Sequence, residues 1–153
     1  MLERKVELLS IFSKMIHEYE RKNTPLCFSF KKIGFDFFFT GVNEALLKAA
    51  NLSAGEIIGM NLYNDILPEK FSHQLYKIYE EAWKGSRVFY YILLPTNKDV
   101  LFACILKPVR NEGEIVEVKG HCVPLNANEL HQFRRFFNNV GPFERMYGME
   151  YLE

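Results

Sequence analysis

Between residues 2 and 20 the chain has neither Gly nor Pro, and it sets Leu2, Val6, Leu9 and Ile16, with Leu8, Phe12, Met15 and Tyr19, at three- and four-residue steps. That period predicts one amphipathic α-helix of about five turns. The stripe is wider than a coiled-coil seam, so the helix is expected to touch both a partner helix and its own domain. Such a stripe is costly in water, and homodimerisation through Leu2, Val6, Leu9, Phe12 and Ile16 is the expectation. Asn23-Thr24-Pro25 ends the helix, since Pro cannot continue it and restricts the residue before it.

The period then changes. Leu26 to Phe30 and Phe35 to Thr40 are short aromatic-rich runs separated by Lys31-Lys32-Ile33-Gly34, which predicts a β-hairpin turning near Gly34. Asn43 can cap a short helix reaching Ala49, and Ser53-Ala54-Gly55-Glu56 has capping-box spacing for a second, ended by Gly59. Pro68 at a first helical position and Gly85 just past Lys84 delimit a longer helix over 68–84. On it Phe71, Leu75, Ile78, Tyr79 and Ala82 share one face, with His73, Lys77 and Glu80 opposite. Three strand-like segments follow, Arg87 to Leu94, Val100 to Lys107 and Glu114 to Val123, separated by the turn residues 95–98 and 110–113. Alternation puts Tyr90, Ile92, Phe102, Cys104 and Leu106 on one face, and Phe89, Tyr91, Leu101, Ala103 and Ile105 on the other. A sheet apolar on both faces must be covered twice, by the short helices on one side and by the N-terminal helix or a second protomer on the other. A last helix is predicted from about Asn128 to Asn139, broken at Gly141-Pro142.

Composition narrows the class. A chain of 153 residues, 48% hydrophobic, is one domain with terminal extensions, and it needs neither disulfides nor a structural metal to fold. The balance of 19 Lys+Arg against 19 Asp+Glu argues against nucleic acid as a partner. No apolar run approaches the ~20 residues of a membrane span, and the charged start Met1-Leu2-Glu3-Arg4-Lys5 lacks the apolar stretch of an export signal. With Cys27, Cys104 and Cys122 odd in number and widely spaced, a cytoplasmic protein with reduced, buried thiols is expected. The 14 Phe and 8 Tyr point to a core or pocket built from rings.

Taken together, these pieces resemble a PAS domain, the α+β sensor module of bacterial histidine kinases, diguanylate cyclases and transcription regulators, over about residues 25–126. The carriers are Asn43-Glu44-Ala45-Leu46-Leu47, Gly55-Glu56-Ile57-Ile58-Gly59, Asp65-Ile66-Leu67-Pro68, the helix ending at Gly85, Leu106-Lys107-Pro108-Val109, Asn111-Glu112-Gly113-Glu114 and Val118-Lys119-Gly120. The Asp-Ile-Thr-like triplet that usually closes the family's last strand is here Pro124-Leu125-Asn126. The resemblance implies a five-stranded antiparallel sheet with short helices on one face and flanking N- and C-terminal helices: residues 1–22 as a dimerisation helix, 25–126 as the domain, 127–153 as a connector helix and tail. It also implies a ligand pocket, onto which alternation maps Tyr90, Ile92, Phe102, Cys104, Leu106 and Cys122, with Leu75 and Tyr79 above them. The same positions are what a filled core needs, so a ligand-binding sensor and a purely structural dimeriser both stay open.

Specific chemistry is sparse. Relatives of the light-oxygen-voltage (LOV) type carry Gly-x-Asn-Cys with a cysteine that attacks flavin, whereas this chain has Gly59-Met60-Asn61-Leu62, and Cys122 stands where a flavin-binding glutamine is usual. A haem ligand on the long helix would be His73, which the helical wheel turns to water. Neither haem nor flavin is therefore expected, and no cofactor is required. No metal site is expected, because His121 and Cys122 point to opposite faces and no CxxC or HxxxH occurs. No Walker, HExxH or GxSxG motif appears, so no catalytic residues are assigned. Leu152-Glu153 matches a common cloning scar, which leaves open whether the chain is a fragment or stands alone; in either case it is expected to relay a ligand- or partner-induced change through its flanking helices to a C-terminal effector domain or a separate signalling protein.

Overall fold

The computed structural model of the protein describes residues 13–94 and 97–125. Residues 13–22 are helical (α1). There follow β1 (Leu26–Ile33), β2 (Asp36–Val42), α2 (Glu44–Ala50), α3 (Ala54–Ile57), α4 (Glu69–Trp83), β3 (Val88–Leu94), β4 (Asn97–Asn111) and β5 (Glu114–Leu125). The five strands form one sheet in the order β2-β1-β5-β4-β3, every neighbouring pair antiparallel. The first and last strands thus meet in the middle of the sheet, and α2–α4 pack on one of its faces. Of the expected dimer residues, Leu2, Val6, Leu9 and Phe12 lie outside the described residues, as does the expected C-terminal helix. Ile16 is buried within the single chain, at 6% exposure.

Local chemistry explains the boundaries. Asn43 caps α2 by accepting the Leu46 N–H, and Asn51 closes it in a left-handed conformation. Ser53 and Glu56 form the capping box of α3. Pro68 is the N-cap of α4. The β1–β2 turn is two residues, Gly34-Phe35, with Gly34 at φ +65°, so β1 runs three residues further than its aromatic pattern suggested. Glu112 (φ 53°) and Gly113 (φ 85°) make the tight β4–β5 turn, whose two positive φ angles match the twist of the strands they join.

The alternation predicted for β3 and β4 holds at the described side chains. Tyr90 pairs with Cys104 and Ile92 with Phe102 on the face under the helices, while Phe89 pairs with Ile105 on the other. The helical face buries Leu26, Phe28, Phe30, Phe37, Phe39, Leu62, Leu75, Ile78, Tyr79 and Val118 in one continuous core. Tyr79 is its hub: its ring stacks on Phe30 at 4.0 Å and meets the Phe37 and Phe39 rings edge-on. Phe89, Ala103, Ile105 and Val123 are buried on the opposite face. The loop after α3 is pinned to β2, because Phe39 N donates to Met60 O and Leu62 N to Phe37 O. Buried Ser72 of α4 donates its hydroxyl to Leu62 O at 3.0 Å. No described helix is long and apolar enough to cross a membrane.

Candidate functional site

An apolar cavity of about 90 Å³ lies between the sheet and α2–α4. Seven of the eight residues expected around a pocket line it: Leu75 and Tyr79 from α4, Tyr90 and Ile92 from β3, Phe102 and Cys104 from β4, and Cys122 from β5. Leu106, the eighth, is fully buried in the core but is not part of the lining. The alternation argument could not supply the rest of the wall, which comes from Phe28, Phe39 and Val42 at the hairpin and from Leu46, Ala50, Leu52, Ile57, Leu67 and Phe71 on the helical side.

The polar atoms at this cavity form a short chain. The Tyr79 and Tyr90 side chains are hydrogen-bonded to each other, Tyr90 also to Cys104, and the Cys104 and Cys122 thiols lie 3.1 Å apart. Burial pushes both tyrosines well above the ordinary phenol range, and the hydrogen bond with Cys104 together with burial does the same for the Cys122 thiol. At neutral pH these groups hold their protons and present no charge to a ligand.

A second group sits on the other side of the sheet. Cys27 of β1 and His121 of β5 are direct cross-strand partners, and Glu20 reaches them from the last turns of α1. His121 Nδ1 lies 2.8 Å from Glu20 Oε2 and 3.8 Å from Cys27 Sγ. The donor atoms of the three residues all lie within 4.8 Å of one another. Burial, with the Glu20 carboxylate adding to it, raises the Cys27 thiol pKa, while Lys119 pulls the other way. Three side chains with atoms able to ligate a metal thus stand together although no local spacing marks them. Sequence spacing compared only residues close along the chain, whereas folding joins donors 94 and 101 positions apart. Cys27 is half-buried rather than buried, and all three cysteines are free. His73 is exposed, as the helical wheel predicts, with its Nδ1 3.4 Å from the Tyr63 hydroxyl.

No family model matches the sequence, and no curated protein matches it. Solved structures do. A light-oxygen-voltage domain studied with a flavin analogue superposes with a TM-score of 0.55 at 15% identity, covering 80% of this chain and 92% of its own. A sensory box of a sensor histidine kinase from Vibrio cholerae gives 0.54 at 16% identity, covering 79% and 97%. A LOV protein from Rhodobacter sphaeroides gives 0.55 at 12% identity, covering 77% of each chain. These matches correct the expectation about flavin, since the fold is one that this chain shares with light-oxygen-voltage domains. The residues set the terms on which a flavin could enter. Ligand pockets span roughly 300–1,000 Å³, so in the described packing a cavity of about 90 Å³ does not hold a three-ring flavin unless α2–α4 move outward. Leu62, fully buried in the core, has no thiol with which to form an adduct. With its strand order, its helices on one face and these superpositions, the chain has the fold of a PAS domain.

Proposed function

We propose that this chain is the regulatory module of a signal-transduction protein, in which the packing around the cavity governs how α1 docks on the opposite face of the sheet. The observation that carries this reading is the adjacency of two residues on β5. Cys122 is part of the cavity wall, and His121, the next residue back, bonds to Glu20 of α1. A ligand that favours one packing of the wall shifts the equilibrium only by its differential affinity for the two packings, and β5 is short enough between these side chains to pass the change on. The outputs are a second copy of the chain and a C-terminal effector domain or separate signalling protein, in keeping with the sensor histidine kinase among the similar structures.

The apolar wall suits a compact apolar ligand; benzene is known to occupy an apolar cavity of roughly 150 Å³, so with about 90 Å³ here the wall must give way to admit a ring of benzene or indole size. Light-oxygen-voltage relatives make a flavin the second ligand class to test. The smallness of the cavity favours a third state, a core complete without ligand that serves dimerisation.

Native mass spectrometry and an absorption spectrum of the freshly purified chain, followed by hydrogen exchange at residues 13–22 with and without indole or flavin mononucleotide, separate these cases. Saturating ligand is expected to raise the melting temperature with dose and to change exchange at residues 13–22 by severalfold. Binding that leaves exchange at residues 13–22 unchanged would refute the relay. A dimer with no bound mass and no response to either probe would leave the core as a dimerisation element only.

A further inference from the structure

We infer that Glu20, Cys27 and His121 form a binding site for a zinc-class divalent cation that clamps α1 to the sheet. Three independent elements deliver the donors: α1 the carboxylate, β1 the thiol and β5 the imidazole. A carboxylate oxygen, a thiolate and a neutral imidazole are the ligand types that zinc takes, and three protein ligands leave one position for solvent.

The spacing fits. With zinc bonds of about 2.0–2.3 Å, tetrahedral donors stand roughly 3.3–3.6 Å from one another. His121 Nδ1 and Cys27 Sγ are 3.8 Å apart, and His121 Nδ1 and Glu20 Oε2 are 2.8 Å apart, on either side of that range. Shifts of well under 1 Å would bring both pairs to the metal. The His121 and Glu20 side chains are only 26% and 25% exposed, so much of their conformational freedom is already spent in the folded chain. Beside them a groove of about 450 Å³, lined in part by Cys27, Gly41, Asn43 and His121, gives the cation an approach and leaves room for its fourth ligand.

Charges and protons balance. The thiol releases its proton to solvent, the ring proton that faces Glu20 moves to Nε2, and the two anionic ligands neutralise the dication. Exposed Lys119, on the same face of β5 as His121, is the positive charge that opposes binding. The site does not depend on what, if anything, occupies the cavity under α2–α4.

Cobalt(II) is the probe, because a thiolate ligand gives it a near-ultraviolet charge-transfer band and four-coordination gives strong visible bands. The full-length chain is expected to bind one cobalt ion with both features, and zinc should displace it. Cys27→Ser should abolish the charge-transfer band although the Cys104 and Cys122 thiols remain. Cys27 is half-buried and its Sγ fills no core position, so this variant should keep the far-ultraviolet circular dichroism of the parent. Glu20→Gln and His121→Ala should each weaken zinc by more than the roughly 10- to 100-fold that loss of an outer-shell partner costs. Absence of a thiolate band in the parent would overturn the inference, as would a band that survives Cys27→Ser or zinc affinity unchanged by Glu20→Gln.

Discussion

Gly120 earns its place by what it lacks. It pairs with Phe28 across β1 and β5, and a Cβ at this position would meet the Phe28 ring at 2.2–2.4 Å, closer than any real contact. The ring therefore lies over the glycine and forms part of the cavity wall. Gly120→Ala must push the ring aside, and overpacking of this kind costs about 1–3 kcal/mol. The neighbouring cavity of about 90 Å³ gives the ring somewhere to go, which argues for the lower half of that range. A urea titration should show a lower midpoint with an unchanged slope. An unchanged midpoint would mean that the ring turns into the cavity without penalty. None of this was legible beforehand. The sequence marks residue 120 as a glycine on the last strand, but the partner that makes it matter is 92 positions away, in a register set by the whole sheet.

The helices were the most legible elements because their ends are decided by neighbours in sequence. Asn43, the Ser53/Glu56 pair, Pro68 and Gly85 each act within a few residues, and each marks a boundary at or within one residue of where it was expected. Strand ends depend instead on partners across the ladder. The alternation predicts β4 over Val100 to Lys107, but the strand runs from Asn97 to Asn111, because β3 supplies Leu94 for Asn97 at one end and β5 supplies Glu117 for Val109 and Glu114 for Asn111 at the other. Asn43 shows how an end-cap can also serve the tertiary fold. Its Oδ1 accepts from Leu46 N and from Cys27 N, and its Nδ2 donates to Pro25 O, which ties the start of α2 to the start of β1. Loss of an N-cap costs about 0.5–2 kcal/mol, and each hydrogen bond left unmade adds roughly 1 kcal/mol. With the Cys27 and Pro25 bonds both lost beside the cap, Asn43→Ala should therefore destabilise the fold by about 2.5–4 kcal/mol. Asn43→Asp keeps both acceptor contacts but sets a carboxylate oxygen against the Pro25 carbonyl where the donor stood, so chemical denaturation should show it recovering part of that loss. Equal losses in the two variants would mean that the Pro25 tie, and not the cap, carries the stability.

At the scale of the molecule, β5 is a partition with a neutral, ring-lined cavity on one side and a carboxylate–imidazole–thiol group on the other. The apolar alternation in the sequence identified the first side. The second was illegible, because Glu20, Cys27 and His121 carry no local spacing signal. The cavity side has a consequence for stability against pH. Tyr79, Tyr90 and Cys122 keep their protons in the fold well above the ordinary values of 10.0 for a phenol and 9.0 for a thiol. Once the chain unfolds they titrate at those ordinary values. Between the two, the folded chain binds more protons than the unfolded one, so stability must fall as pH rises. The contribution is complete below about pH 9, begins to fade as Cys122 becomes ionisable in the unfolded chain, and fades faster past pH 10 as the tyrosines follow. Urea midpoints should accordingly be flat from pH 7 to 8 and decline steadily above about pH 9. Tyr79→Phe removes one of the titrating groups and should make the decline above pH 10 shallower, whatever it does to stability at neutral pH. A midpoint that holds level to pH 11 in the parent, or a Tyr79→Phe slope identical to the parent's, would show that these side chains ionise within the fold, and that the cavity is open to water.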